Sequence, residues 1–117
     1  MTPLARVEAA ILRLETLKTE STPGPWYEWT DDLTNEVDVW HDQEARCHVA
    51  NFGVAGERGV LADAELVSAL HSTIDAQLAI LRDAAARMRV EQNQGGIPLH
   101  YRHQLALADA ILKAMNS

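Results

Sequence analysis

Positive charge is the first thing this chain has little of. Ten lysines and arginines stand against seventeen aspartates and glutamates, for a net charge of −7. Binding along a DNA or RNA backbone rests on a basic footprint, so no direct nucleic-acid contact is expected. Cysteine occurs once, at Cys47, which excludes an intrachain disulfide and suits a reducing compartment. No apolar run approaches the roughly 20 residues of a membrane span. The apolar positions near the N-terminus are interrupted by Arg6, Glu8, Arg13 and Glu15, so no secretory signal is read there. A cytoplasmic protein is the expectation. The glycine-rich loop GVAGERG, 53–59, lacks the lysine and hydroxyl residue of a phosphate-binding P-loop, and no GxGxxG occurs; it reads as a connection between strand and helix. Aromatic residues number only six.

Half of those six follow a rigid turn, in STPGPWYEW, residues 21–29. The segment before it, TPLARVEAAILRLETLK, predicts a helix over 1–20. Thr2 can cap it and Pro3 suits the first helical position, where its missing N–H costs nothing. Leu4, Val7, Ile11 and Leu14 form one apolar stripe, widened by Leu12 and Leu17. TPGP then ends the helix, because proline disfavours helix in the residue before it and removes a donor, and Gly24 permits a sharp turn.

Over 26–54 the period changes. WYEWT, EVDVWH and ARCHVANF are short, alternating and rich in β-branched and aromatic residues, which predicts a three-stranded antiparallel meander. DDLTN at 31–35 and DQE at 42–44 supply its turns. Val37 and Val39 share the face expected to meet the helices; Glu36, Asp38 and Trp40 share the wetter one. A long helix is then expected over 63–93, with Asp63 as cap and a stripe of Val67, Leu70, Ile74, Leu78, Leu81, Ala85 and Met88. At 1.5 Å per residue it would run roughly 45 Å, longer than a small sheet covers. NQGGIP stops it, and a last helix over 98–116 folds back as an antiparallel αα-hairpin, with Leu105, Ala108, Ile111, Leu112 and Met115 facing one way. The order α-β-β-β-α-α segregates strands from helices, so the fold class is α+β in a single domain, 1–117. On this reading TPGPW turns the chain and drives Trp26 or Trp29 into the seam between sheet and helices. A tryptophan buries about 200 Å² or more, several kcal/mol at ~25 cal/mol per Å².

TPGPW at 22–26, the short strands, and DAELV at 63–67 opening a helix resemble a family of small proteins of actinobacterial genomes, prophages and phages. That family carries a TPGPW…(D/N)AEFI pattern, and the phage Ead-like early-region proteins share the arrangement. The likeness covers roughly residues 15–85. Leu66 and Val67 stand where the family has Phe-Ile. The proline common in the middle of the family's helix is missing near Thr73–Asp75, which implies a straighter helix. The resemblance implies a phage or prophage origin and a small accessory role. It supplies no activity and no catalytic residue.

Several groups invite chemistry and carry little of it. His41, Cys47 and His48 hold metal-ligating atoms, yet a structural zinc site shows two close pairs of ligands. Neighbouring residues on a strand also point apart, so Cys47 reads as a strand residue, and no metal or cofactor is expected. The acids Asp31, Asp32, Asn35, Glu36 and Asp38 lack the spacing of an EF-hand and read as a solvated turn. His71, Ser72 and Asp75 contain the residue types of a triad, but successive helix positions splay apart. His100, Tyr101, Arg102 and His103 could stack on a ligand or simply open a helix. No catalytic constellation emerges, and the chain is not expected to be an enzyme.

Charge is concentrated where the strands are. Residues 20–65 hold eleven acids and two bases, Arg46 and Arg58. The leading expectation is a non-enzymatic accessory protein that binds a host or phage protein, one carrying basic charge, through an acidic sheet surface with an exposed Trp40. Its contact residues are Trp29, Trp40, Asp31, Asp32 and Asp38. The runner-up is a small-molecule or nucleotide-signal binder built on Trp26, Arg58 and His71. Surplus apolar surface on helices 63–93 and 98–116 could also serve a homodimer.

Overall fold

In the computed structural model, described over residues 1–42, 47–93 and 100–114 with the side chains of Asp42, Cys47 and His48 outside the description, the order is α-β-β-β-α-α-α. The class is α+β. The elements are α1 (Pro3–Glu20), β1 (Tyr27–Thr30), β2 (Glu36–Asp42), β3 (Cys47–Val54), α2 (Val60–Ser72), α3 (Ile74–Asn93) and α4 (Arg102–Ala114). Of the second hairpin turn, read at 42–44, Asp42 ends β2 and Gln43 and Glu44 fall outside the described residues, as do Met115 and the start of the last helix, read from 98.

The single long helix expected over 63–93 is two helices. The ladder stops at Thr73, whose Oγ1 and backbone N–H both donate to the Leu70 carbonyl, at 2.8 and 3.1 Å. Ser72 Oγ donates to the Ala69 carbonyl at 2.6 Å. Hydroxyl side chains that bond nearby carbonyls compete with the helical pattern, and here two in a row do so. The helical run expected to continue through Thr73–Asp75 is interrupted at Thr73. The helix also begins earlier than Asp63. Gly59 occupies the cap position at φ 82, a left-handed conformation that favours glycine.

The residues group into two compact units, Ser21–Ile74 and Met1–Glu20 with Asp75–Ser117. The helical unit is built from α1, α3 and α4. Val7 and Ala10 from α1, Leu81, Ala84, Ala85 and Met88 from α3, and Tyr101 and Ala108 from α4 form its buried core, with Leu4, Ile11, Leu105, Ile111 and Leu112 packed around them. Thr2 caps α1 as read, its Oγ1 accepting from the Ala5 N–H at 3.1 Å. Leu12 and Leu17 do not widen the stripe; both are exposed.

The sheet unit is the meander, strand order β1-β2-β3, all antiparallel. Val37 and Val39 are fully buried and share a core with Val60 and Ala64 of α2, against which Trp26, Val49 and Phe52 pack. The face that α2 buries consists of Val60, Ala64 and Ser68. Small side chains let helix and sheet approach, whereas Leu70, expected in the stripe, is exposed. Two register shifts, between Val37/Asp38 and between Val39/Trp40, give β3 extra residues. These bulges bend β3 around its partner.

Candidate interaction site

The first hairpin turn is the reading that geometry fills in most fully. Asp31 Oδ1 accepts from the backbone N–H of Leu33 at 2.8 Å and of Thr34 at 3.1 Å. The Thr34 and Leu33 N–H groups hold the Asp31 carboxyl below the ordinary carboxylate range. Asn35 closes the turn in the left-handed region, at φ 59, which asparagine tolerates better than most residues. Asp31 therefore shapes the loop as well as charging it. Asp32 is exposed beside it, and Leu33 at the tip is 97% exposed.

The register sets the outer face of the sheet. Tyr27 pairs with Trp40, Trp29 with Asp38, and Asp38 with Asn51. Directly opposed residues of an antiparallel pair point to the same side, so these five residues share the face opposite Val37 and Val39. Trp29 and Trp40 meet edge to face, ring centroids 6.0 Å apart at 65°. Asn51 Nδ2 donates to Asp38 Oδ1 at 2.7 Å. Trp29 is 52% exposed. Trp40, expected to be the exposed indole, is half-buried, with Trp29 against it. Of the five expected contact residues, Trp29, Trp40 and Asp38 are brought together on one face, and Asp31 and Asp32 stand in the turn that joins their strands.

Of Trp26 and Trp29, either of which was expected in the seam, it is Trp26 that packs against the sheet core. The corner contains a cis Gly24–Pro25 peptide bond. Trp26 turns inward, its Nε1–H donating to the Thr22 carbonyl at 3.0 Å. Its ring lies parallel to His71 of α2, centroids 3.7 Å apart at 6°. Gly24 sits against the same imidazole: a Cβ there would lie 2.6 Å from His71 Cε1 and 3.1 Å from Nδ1. His71 is thus what the proline-stiffened corner clasps. Sequence reasoning placed it in a ligand pocket and missed this contact; the signal was a glycine followed two residues later by an aromatic, with no aromatic partner named. Arg58 is exposed in the turn before α2.

The remaining candidates are accounted for locally. Ser72 is spent on Ala69 and Asp75 on Lys18, at 2.5 Å, so neither extends His71 into a triad. Tyr101 is only 3% exposed and donates to Glu91 at 2.9 Å; burial, reinforced by Glu91, pushes its phenol up. It belongs to the core instead of a stacking platform. A cleft of 410 Å³ lined by Glu15, Lys18, Thr19, Leu78 and Arg82 lies in the helical unit, but its cations face carboxylates: Arg82 pairs with Glu15, Lys18 with Asp75. Among the described residues, no three His, Cys, Asp or Glu side chains gather as metal ligands, and no helix is long and apolar enough to cross a membrane. Leu61, Leu66 and Leu70 on α2 and Ile80 and Val90 on α3 are exposed.

The two units differ sharply in charge. Ser21–Ile74 contains ten acids and two bases; the rest of the chain contains seven acids and eight bases. The described ion pairs, Arg6–Asp109, Lys18–Asp75, Arg82–Glu15, Arg87–Asp83, Arg89–Glu8 and His100–Glu91, all lie in the helical unit. No protein-family model, curated protein or solved structure matches the chain.

Proposed function

We propose that this chain is a small accessory protein of phage or prophage type, without catalytic activity, that binds a positively charged host or phage protein through the outer face of its sheet. The observation that carries this reading is the segregation of charge. In the helical unit acids and bases nearly balance and pair with one another. In the sheet unit ten acids meet two bases, and Asp31 and Asp38 are held by backbone and amide donors instead of cations. Carboxylates with no ion pair among the described residues, around a partly exposed indole pair, favour a cationic protein surface, since complementary charge speeds encounter and aromatic anchors supply affinity. The TPGPW and DAELV segments add the resemblance to phage early-region proteins. The runner-up, nucleotide sequestration on Trp26, Arg58 and His71, is disfavoured: one face of Trp26 is already stacked on His71.

The test is affinity capture from bacterial extract with identification of the retained protein, followed by binding of the purified partner to wild type and to a variant carrying Asp31→Asn, Asp32→Asn and Asp38→Asn. A basic partner whose affinity falls in the variant and with rising salt supports the reading. A partner bound equally by both, or catalytic turnover of a substrate by the wild type, overturns it.

A further inference from the structure

The outer face has a geometry more selective than negative charge alone, and it points to the side chain it receives. Trp29 is the exposed member of the indole pair, and Trp40 buttresses it edge to face at 6.0 Å and 65°. One face of Trp29 is therefore held at a fixed inclination instead of sweeping freely. Asp38 lies directly across the β1–β2 ladder from Trp29, which puts their Cβ atoms about 5 Å apart on the same side. The Asp38 carboxylate is itself oriented: Asn51 Nδ2 holds Oδ1 at 2.7 Å, and no other hydrogen bond to that carboxylate occurs among the described residues. A flat aromatic surface and an aimed carboxylate oxygen stand side by side.

That pairing matches a planar cation. A guanidinium stacks flat on an indole while its in-plane N–H groups reach a carboxylate at the ring's edge. An ammonium is compact and strongly hydrated, and uses the ring face or the carboxylate without needing both at once. The geometry points to an arginine side chain of the partner, stacked on Trp29 and hydrogen-bonded to Asp38, as the residue this face recognises. The inference rests on the docking reading above and specifies its anchor. The surrounding acids Asp31, Asp32 and Glu36 attract the basic segment; the Trp29–Asp38 pair chooses among its cations.

The test uses the whole chain, nitrogen-labelled, with three short glycine-spaced peptides at low salt: one bearing arginine, one lysine and one citrulline. The three indole N–H signals report separately on Trp26, Trp29 and Trp40. The arginine peptide is expected to shift Trp29 and Trp40, leave Trp26 in place, and bind more tightly than the lysine peptide. Citrulline, planar but uncharged, gives no shift. Trp29→Leu weakens the arginine peptide by about two- to five-fold, the range of an exposed cation–π contact, and brings it level with lysine. Asp38→Asn has the same effect on selectivity, and provides a second route if the leucine variant loses its sheet by circular dichroism. If lysine and arginine peptides bind equally and both depend on Asp38, acidic docking stands and arginine selection falls. If neither peptide moves Trp29 or Trp40, or only Trp26 responds, both readings fall.

Discussion

Gly24→Ala tests the corner that TPGPW builds, and its sign can be worked out in advance. Gly24 is not in the left-handed region, so alanine can take its φ. It precedes Pro25, a position already biased to extended backbone. On backbone grounds alone the substitution would stabilise by about 0.4–1 kcal/mol, by restricting the unfolded chain. The new methyl, however, would sit 2.6 Å from His71 Cε1, well inside contact distance. The imidazole cannot simply swing away, because it lies 3.7 Å from the Trp26 ring. Gly24 is itself exposed, but a methyl forced against a stacked ring costs up to the ~1–3 kcal/mol of overpacking, and the displaced stack forfeits part of the ~0.5–1.5 kcal/mol of an aromatic pair. The expected net is a destabilisation of about 1–2 kcal/mol. In a His71→Ala background the obstacle is gone, and the same change becomes neutral or stabilising. All three tryptophans lie in Ser21–Ile74, so urea unfolding followed by tryptophan fluorescence reads this unit alone. A coupling of about 1 kcal/mol or more in the double-mutant cycle is the expected outcome. Equal destabilisation by Gly24→Ala with and without His71 would refute the reasoning, since the glycine would then be needed for its backbone and not for the ring.

Other perturbations separate the two units. Leu81→Ala empties a fully buried position in the helical core and is expected to cost about 2–5 kcal/mol by calorimetry or circular dichroism. Asp31 and Asp109 have carboxyls held below the ordinary range, by the Thr34 and Leu33 N–H groups and by Arg6 respectively. Their contribution is therefore present above the usual carboxylate pKa and is lost as pH falls through the depressed values; Asp31→Asn and Asp109→Asn should each flatten the acid limb of stability against pH. Tyr101, its phenol raised by burial and by Glu91, favours the folded state below the usual tyrosine pKa and loses that preference as pH rises through the raised value. Alkaline absorbance titration should show a phenol ionising late, and Tyr101→Phe should remove it.

Features governed by one strong local preference were legible in the sequence. The Thr2 cap with Pro3 behind it, the DDLTN turn and the burial of Val37 and Val39 are each of this kind. The break at Thr73 was hidden because the apolar spacing runs through it unbroken. Val67, Leu70, Ile74 and Leu78 keep helical period, while the interruption comes from hydroxyls at Ser72 and Thr73 bonding back to carbonyls. Hydrophobic periodicity does not register that competition. The buried side of α2 was misread for a related reason. A helix laid close on a sheet buries small residues, here Ala64 and Ser68, and a search for large apolar side chains selects Leu70 instead. The inward turn of Trp26 depends on His71, more than forty positions downstream, and no local pattern contains that partner.

The three indoles divide the work of the sheet unit, and charge explains why the division matters. Trp26 is spent on the corner, held by Thr22 and His71. An exposed tryptophan by itself argues little, since single apolar side chains are common on protein surfaces. Trp29 differs because it is braced by Trp40 and faces Asp38, within a unit that carries ten acids against two bases. Like charge at that density works against the compact state, and the described ion pairs do not relieve it, because they all belong to the other unit. A cationic partner would remove the repulsion at the same time as it filled the indole face. Binding linked to folding stabilises whichever region it engages. The gain on adding a partner should therefore appear in the tryptophan-reported transition of Ser21–Ile74, while the helical unit, balanced by its own pairs, has nothing comparable to gain.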